Sequence, residues 1–335
     1  MPQISVVIPV YNAGLYLRET LDSVANQTFR DWECVIVNDG STDNSLSIIA
    51  EYTKSDKRFI CYSIQNSGYA DIPRNFAVKQ AQSKFVLYLD ADDVLSPDYI
   101  CQAFKRLKDT NADMVFGQLI GSVSELDGEL YRIPLQTFDK SSIISGKDAF
   151  KMTIGGWIFS ANGMLVCKGL YDKLIPGRYM NSDEFTSRQV IFRAKRVAFH
   201  NGIYKYRNHN ASISREITPR LFERLIVDKQ IEDFVNENYY ADSDVAIKER
   251  HSRFFNMVNL QALFDSKKNR FSKEKRKWIS GQLKASYNSQ DFNHLRQELR
   301  KPYVYGFCTT YTIYRICVPI YCLIRKLKGK TYYYS

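Results

Sequence analysis

The sequence predicts an α/β protein: a Rossmann-like, mostly parallel sheet flanked by helices, followed by a C-terminal helical extension. Two observations point there. Through residue 115, apolar runs of strand length alternate with segments whose apolar residues recur at helical spacing. Such alternation builds right-handed βαβ units, which make a parallel sheet. From Arg215 to Arg300 the chain is instead charged, helical in pattern and without glycine except Gly281.

Taken in order, Ile4–Val10 is a continuous apolar run, as expected of a strand buried on both faces. Leu17, Leu21 and Val24 then fall at helical spacing. Trp32–Asn38 is the next strand, and the turn Asp39–Asp43 leads to a helix carrying Leu46, Ile49 and Tyr52. Phe59–Ile64 is a strand, Pro73–Ala81 a helix and Phe85–Leu89 a strand. Ser96 as N-cap and Pro97 at the first helical position open a helix with an Ile100, Phe104, Leu107 stripe. Met114–Phe116 is a short strand. Shorter strands and glycine-rich turns follow up to Ser214. The expected divisions are 1–214, with halves 1–115 and 116–214, then 215–300, then a basic aromatic tail, 301–335.

With 44% apolar residues in 335, the chain can bury a sizeable core. Its net charge of +11 favours anionic partners. The excess lies toward the C-terminus, where residues 301–335 hold six basic side chains and no acidic one, so it does not indicate nucleic acid. Seven dispersed cysteines without a CxxC pair suit a reducing compartment. Ile4 already begins a strand, with no signal-peptide pattern before it, and a cytoplasmic location is expected.

In parallel sheets, ligands sit beyond the C-terminal ends of the strands. The loops there are Tyr11–Gly14, Asp39–Asn44, Asn66–Arg74 and Asp90–Asp93, all polar. In the last, Asp90 and Asp92 alternate and so can face one way, with Ala91 leaving space between them. Clustered carboxylates invite a cation. Mg2+ or Mn2+ with one or two carboxylates plus phosphates is the arrangement that supports a diphosphate leaving group. The competing reading is a solvated acidic turn. Asp39 can accept from the ring N–H of a base, and equally can serve the turn. Arg74, near a helix N-terminus, suits a diphosphate or a plain surface position.

Together these loops resemble family 2 glycosyltransferases. The resemblance rests on Ser5-Val6-Val7-Ile8-Pro9-Val10-Tyr11-Asn12, on Leu21-Asp22-Ser23-Val24-Ala25-Asn26-Gln27-Thr28, and on Trp32 through Asp43. It continues in Asn66-Ser67-Gly68, Arg74-Asn75 and Tyr88-Leu89-Asp90-Ala91-Asp92-Asp93. It is close over residues 3 to about 100 and faint after Ser214. It implies a GT-A nucleotide-diphospho-sugar transferase fold, an inverting mechanism, a UDP-sugar donor, and Mn2+ or Mg2+ as cofactor. By position, Pro9, Val10, Tyr11, Asn12, Asp39 and Asn66 would hold the nucleotide, and Arg74 would sit near the diphosphate. Asp90 and Ala91 would lie near the ribose and sugar, and Asp92, assisted by Asp93, would bind the metal.

An inverting transfer needs a base for the attacking hydroxyl. The family usually carries Glu-Asp before a downstream helix, with the Asp as base. Here Asn181-Ser182-Asp183-Glu184-Phe185 fills that place in the order Asp-Glu. Register assigns the base to Glu184, with Asp183 as the alternative. Tyr204-Lys205-Tyr206-Arg207-Asn208-His209 resembles the segment that closes the catalytic domain in relatives, which implies that Arg207 and His209 approach the diphosphate. Gly155-Gly156-Trp157 resembles the acceptor side, where Trp157 would stack on a sugar.

The expected acceptor is a glycan or lipid-linked glycan of surface-polysaccharide type, and the transferase class hexosyl or N-acetylhexosaminyl. Tyr303–Ile324, followed by Arg325, Lys326, Lys328 and Lys330, is apolar, aromatic and basic. It suits peripheral attachment to an anionic membrane surface, or a helix packed on the protein itself. Two other functions are weighed. One is a sugar-nucleotide-binding protein without turnover, suggested by the altered acidic pair. The other is a sugar nucleotidyltransferase, for which the loop after the first strand lacks Lys or Arg. A dinucleotide-binding dehydrogenase fails for want of GxGxxG. Oligomeric state is not written in the sequence.

Overall fold

The structure, a computed structural model, describes residues 1–122, 141–154, 163–175, 177–207, 217–299 and 306–327. The chain divides into two compact units, one of residues 1–178 and 182–212, the other of 179–181 and 213–335.

Among the described residues, the first unit is built on a nine-stranded sheet. Strands β1 (Ile4–Val10), β2 (Trp32–Asp39), β3 (Phe59–Ile64) and β4 (Phe85–Tyr88) lie in the order β3-β2-β1-β4 and run parallel. Every residue of β2 is buried, and every one of β1 except Pro9. Covering both faces is what turns these strands into uninterrupted apolar runs. The helices between them are α1 (Leu17–Ala25), α2 (Ser45–Ser55) and α3 (Asp71–Gln80). Next come β5 (Val94–Leu95), α4 (Tyr99–Thr110), β6 (Met114–Ser122), β7 (Ile143–Ile144), α5 (Gly146–Thr153), β8 (Leu165–Cys167), α6 (Ser182–Arg193) and β9 (Val197–Arg207). Strand β8 is antiparallel to both β4 and β6, and β6 pairs parallel with β9 across a register break between Phe116 and Gln118.

The expected elements appear, with three corrections. Ser96 does not cap α4, which begins at Tyr99 after Asp98. The Ser96 hydroxyl accepts from the Ile203 N–H at 3.0 Å and donates to Asp98 at 2.9 Å, so it serves β9 and the turn. Leu46 lies on the outer side of α2, 47% exposed, because the buried face is set by Ser45, Ile48 and Ile49. The strand expected to end at Phe116 continues to Ser122, held by β9 beyond the bulge.

The second unit is helical: α7 (Arg224–Asn238), α8 (Asp244–Lys267), α9 (Lys273–Asn288), α10 (Phe292–Leu299) and α11 (Tyr311–Leu327). Ser243 and Ser272 cap α8 and α9 by accepting from the N–H groups of Ala246 and Lys275. Phe222, Phe254, Met257, Leu260 and Leu283 form its core, and Tyr314 and Val318 of α11 belong to the same core. Arg253 of α8 is fully enclosed, pairing with Glu232 and donating to the carbonyls of Ser286 and Ser289.

Candidate active site

Because β1 to β4 are parallel, the segments after Val10, Asp39, Ile64 and Tyr88 emerge on one edge of the sheet. The first two are strapped together. The Asn12 N–H donates to Ser41 Oγ at 3.0 Å, and Asn12 Oδ1 accepts from the Thr42 N–H at 2.8 Å. The Gly14 and Ala13 N–H groups donate to Asp43 and Ser45, both at 2.9 Å. Asn12 itself is left-handed at φ 49°, a conformation asparagine tolerates better than most residues.

Asp39 is buried at the end of β2, where its two oxygens accept from the Ser67 N–H and hydroxyl, both at 2.8 Å. Asn66 Nδ2 donates to the Asp39 carbonyl at 2.9 Å. Gly40 sits at φ +68°, and a Cβ there would come within 2.8 Å of the Asn66 nitrogen. The turn between β2 and α2 therefore requires glycine. Tyr11 stands 45% exposed beside this group.

A second cluster lies one loop further on. Arg74 of α3 is buried, its side chain 4% exposed, and reaches Asp90 at 2.9 Å and Asp183 of α6 at 3.3 Å. Its guanidinium carbon also sits 5.3 Å from the centre of the Tyr88 ring. Burial alone would lower the Arg74 pKa, but Asp90 and Asp183 outweigh it and hold the cation. Burial raises Asp90 above the usual carboxylate range, with Arg74 opposing and Asp92 and Asp183 reinforcing. Beneath them, Asp71 is 2% exposed and accepts from Thr186 at 2.9 Å. Burial pushes Asp71 up to about 6, against the pull of Arg74 and with the push of Asp183.

Of the three aspartates after β4, Asp93 turns inward and is fully buried. It accepts from the Tyr204 hydroxyl at 2.5 Å and from the Arg207 N–H at 2.7 Å. Burial, then the charges of Asp90 and Asp92, push its pKa well up. Asp93 thus fastens the loop to β9. Asp92 is half-buried. Arg207 Nε donates to the Asp92 carbonyl at 2.9 Å, its guanidinium pairs with Glu19 of α1, and it lies 4.7 Å from the centre of the Tyr16 ring. Among the described residues, no three His, Cys, Asp or Glu side chains gather into a metal cage.

The acidic pair opens α6, and its two members part company. Asp183 faces Arg74, whereas Glu184 pairs with Arg188 one turn on at 3.0 Å, only 10% of its side chain exposed. The structure thus unites Asp90, Arg74 and Asp183, while Glu184 pairs with Arg188. Trp157 and His209 lie outside the described residues. Sequence reasoning did not single out Asp71, Ser67, Thr186 or Tyr204. Tyr204 and Ser67 were visible only inside the Tyr-x-Tyr-Arg and Asn66-Ser67-Gly68 segments, and no short-range pattern marked Asp71 or Thr186.

A mostly parallel sheet with helices around it, its strand ends carrying the strapped loops and the carboxylate loop, has the architecture of the GT-A fold. Residues 5–168 match the family described as Glycosyl transferase family 2. The chain thus carries a family 2 glycosyltransferase domain over residues 5–168. It is 28% identical over 258 residues to Glycosyltransferase GlyA of Streptococcus pneumoniae, covering 73% of this chain and 36% of that protein. It is also 28% identical over 267 residues to Glycosyltransferase GlyG of the same organism, covering 76% of this chain and 86% of that one. The chain therefore spans about a third of the length of GlyA and most of GlyG. The crystal structure of Staphylococcus aureus TarS 1–349 in complex with UDP-GlcNAc superposes with TM-score 0.67 at 19% identity, covering 99% of this chain and 93% of that one, a likeness of fold.

Proposed function

We propose that this glycosyltransferase moves a hexosyl or N-acetylhexosaminyl group from a UDP-sugar, with inversion, onto a glycan or lipid-linked glycan of surface-polysaccharide type. We place that reaction at the cytoplasmic side of a membrane. UDP is favoured by the UDP-GlcNAc bound in TarS. The observation that carries the mechanism is the Arg74 guanidinium between Asp90 and Asp183, 2.9 and 3.3 Å away. It places an acid of α6 beside the carboxylate loop that would face the donor.

In this reading Asp183, rather than Glu184, takes the proton of the acceptor hydroxyl. The acceptor oxygen bonds to the anomeric carbon from the face opposite the diphosphate. The carbon–oxygen bond to the diphosphate breaks, and the nucleoside diphosphate leaves with the electron pair. Arg74 positions both carboxylates and spreads positive charge where the leaving group's negative charge grows. A single carboxylate plus phosphates is a normal set for Mg2+ or Mn2+. Asp92 would hold such an ion, which would neutralise charge on the departing diphosphate. Asp93, fastened to β9, would position Asp92.

The test begins with a thermal-shift screen of UDP-, GDP- and dTDP-sugars with and without Mn2+, since a bound donor stabilises the native state. Donor turnover is then compared in Asp183→Asn, Glu184→Gln and Asp92→Ala. Loss of a general base costs about 10²–10⁴-fold, so Asp183→Asn should fall by that much and Glu184→Gln by less than about tenfold. Asp92→Ala should abolish stimulation by Mn2+. The reverse order for Asp183 and Glu184 would move the base to Glu184. Donor binding without wild-type turnover would leave a sugar-nucleotide-binding protein.

A further inference from the structure

The C-terminal helix carries an apolar surface that its own unit leaves uncovered. In α11, Tyr314 and Val318 are buried in the core of the second unit. Ile316 is 60%, Ile320 55%, Leu323 59% and Leu327 80% exposed, and Ile313 and Ile324 are exposed beside them. At 3.6 residues per turn these six side chains fall in one sector of about 100°, roughly opposite Tyr314 and Val318. Large aliphatic side chains aligned this way on a surface mark an interaction site rather than scattered exposure. Arg315 and Arg325 sit off the stripe, paired with Asp265 and stacked on Tyr321 respectively.

We infer that this stripe is an in-plane membrane anchor that beds into an anionic lipid leaflet. The inference deepens the membrane-side placement proposed above. Two observations select lipid over another occupant. The sequence from 301 to 335 carries six basic residues and no acidic one, a charge complementary to anionic headgroups. A second copy docked stripe to stripe would bring two such tails together, because a two-fold interface pairs each patch with itself. The helix also has 17 residues with Pro319 inside it, and among the described residues no helix is long and apolar enough to cross a bilayer. An amphipathic helix of this kind lies in the interface, its apolar face in the acyl boundary.

The full chain is mixed with vesicles of phosphatidylcholine alone or with about a third phosphatidylglycerol, and the bound fraction is read by flotation. Binding should be at least tenfold tighter to the anionic vesicles and weaken with salt. Ile316→Glu/Ile320→Glu should lower it at least tenfold. Leu323→Ser/Leu327→Ser, which adds no charge, should lower it severalfold, separating insertion from simple attraction. Both variants alter exposed positions, and an unchanged melting temperature checks that they fold. Absence of vesicle binding, binding indifferent to both variants, or a dimer by sedimentation that Ile316→Glu/Ile320→Glu dissolves would each overturn the anchor. Hydrolysis of soluble donor should be equal in all three proteins. Its loss in the wild type would count against the transferase mechanism and not against the anchor.

Discussion

At the scale of single residues, the site stores unfavourable charge. Asp71 is a buried carboxylate whose pKa rises to about 6. A carboxyl with a raised folded pKa holds its proton in the native state while the unfolded chain, near 3.9, has lost it. Stability therefore falls as pH climbs between those values, and the cost is complete above about 6. Asp71→Asn removes that cost and can still accept from Thr186. Its urea midpoint should match the wild type near pH 4 and exceed it at pH 7, by up to about 3 kcal/mol. A constant difference across that range would show that Asp71 ionises as an ordinary surface carboxylate. Persistence of so costly a residue is expected where it steers Arg74 and Asp183.

At the scale of elements, strand ends and helix faces were legible and partners across the fold were not. The β1 and β2 runs announce buried parallel strands because both faces are covered, a property local sequence records directly. The carboxylate loop was readable for the same reason, since it follows β4 without a gap. The choice between Asp183 and Glu184 was not readable, because it depends on which one turns toward an arginine 109 positions earlier in the chain. Register favoured Glu184 as base; the geometry underlies the proposal for Asp183. In the helical unit, Arg253 was equally opaque. Its pairing with Glu232 ties α8 to α7, and its bonds to Ser286 and Ser289 reach the end of α9. Breaking a buried pair from one side costs about 3–5 kcal/mol. Arg253→Met should lower stability by that amount in denaturant titration, and adding Glu232→Met should restore a large part. No recovery would mean that the bonds to α9, not the ion pair, dominate.

At the scale of the whole molecule, the tail, for which the sequence suits either membrane-surface attachment or a helix packed on the protein itself, shares the second unit's core. Phe307, Cys308, Tyr314 and Val318 are each 3% exposed or less. At about 1.5–3 kcal/mol for each large apolar side chain, their removal forfeits roughly 6 kcal/mol, comparable to the net stability of a domain. A chain ending at residue 300 should thus show early loss of the second unit to limited proteolysis, with the first unit more resistant. Equal resistance of the truncated and full-length chains would place α11 outside the folding unit. Point substitutions on the exposed stripe, rather than deletion, are therefore the way to dissect it.

The strapping of residues 12–14 to 41–45 bears on how the loops proposed to hold the donor could be re-engineered. Each loop supplies the other's hydrogen-bond partners. Swapping the turn after β2 alone for a foreign one would orphan the backbone groups of Asn12, Ala13 and Gly14. A workable chimera must exchange both loops as a matched cassette, with glycine kept at position 40.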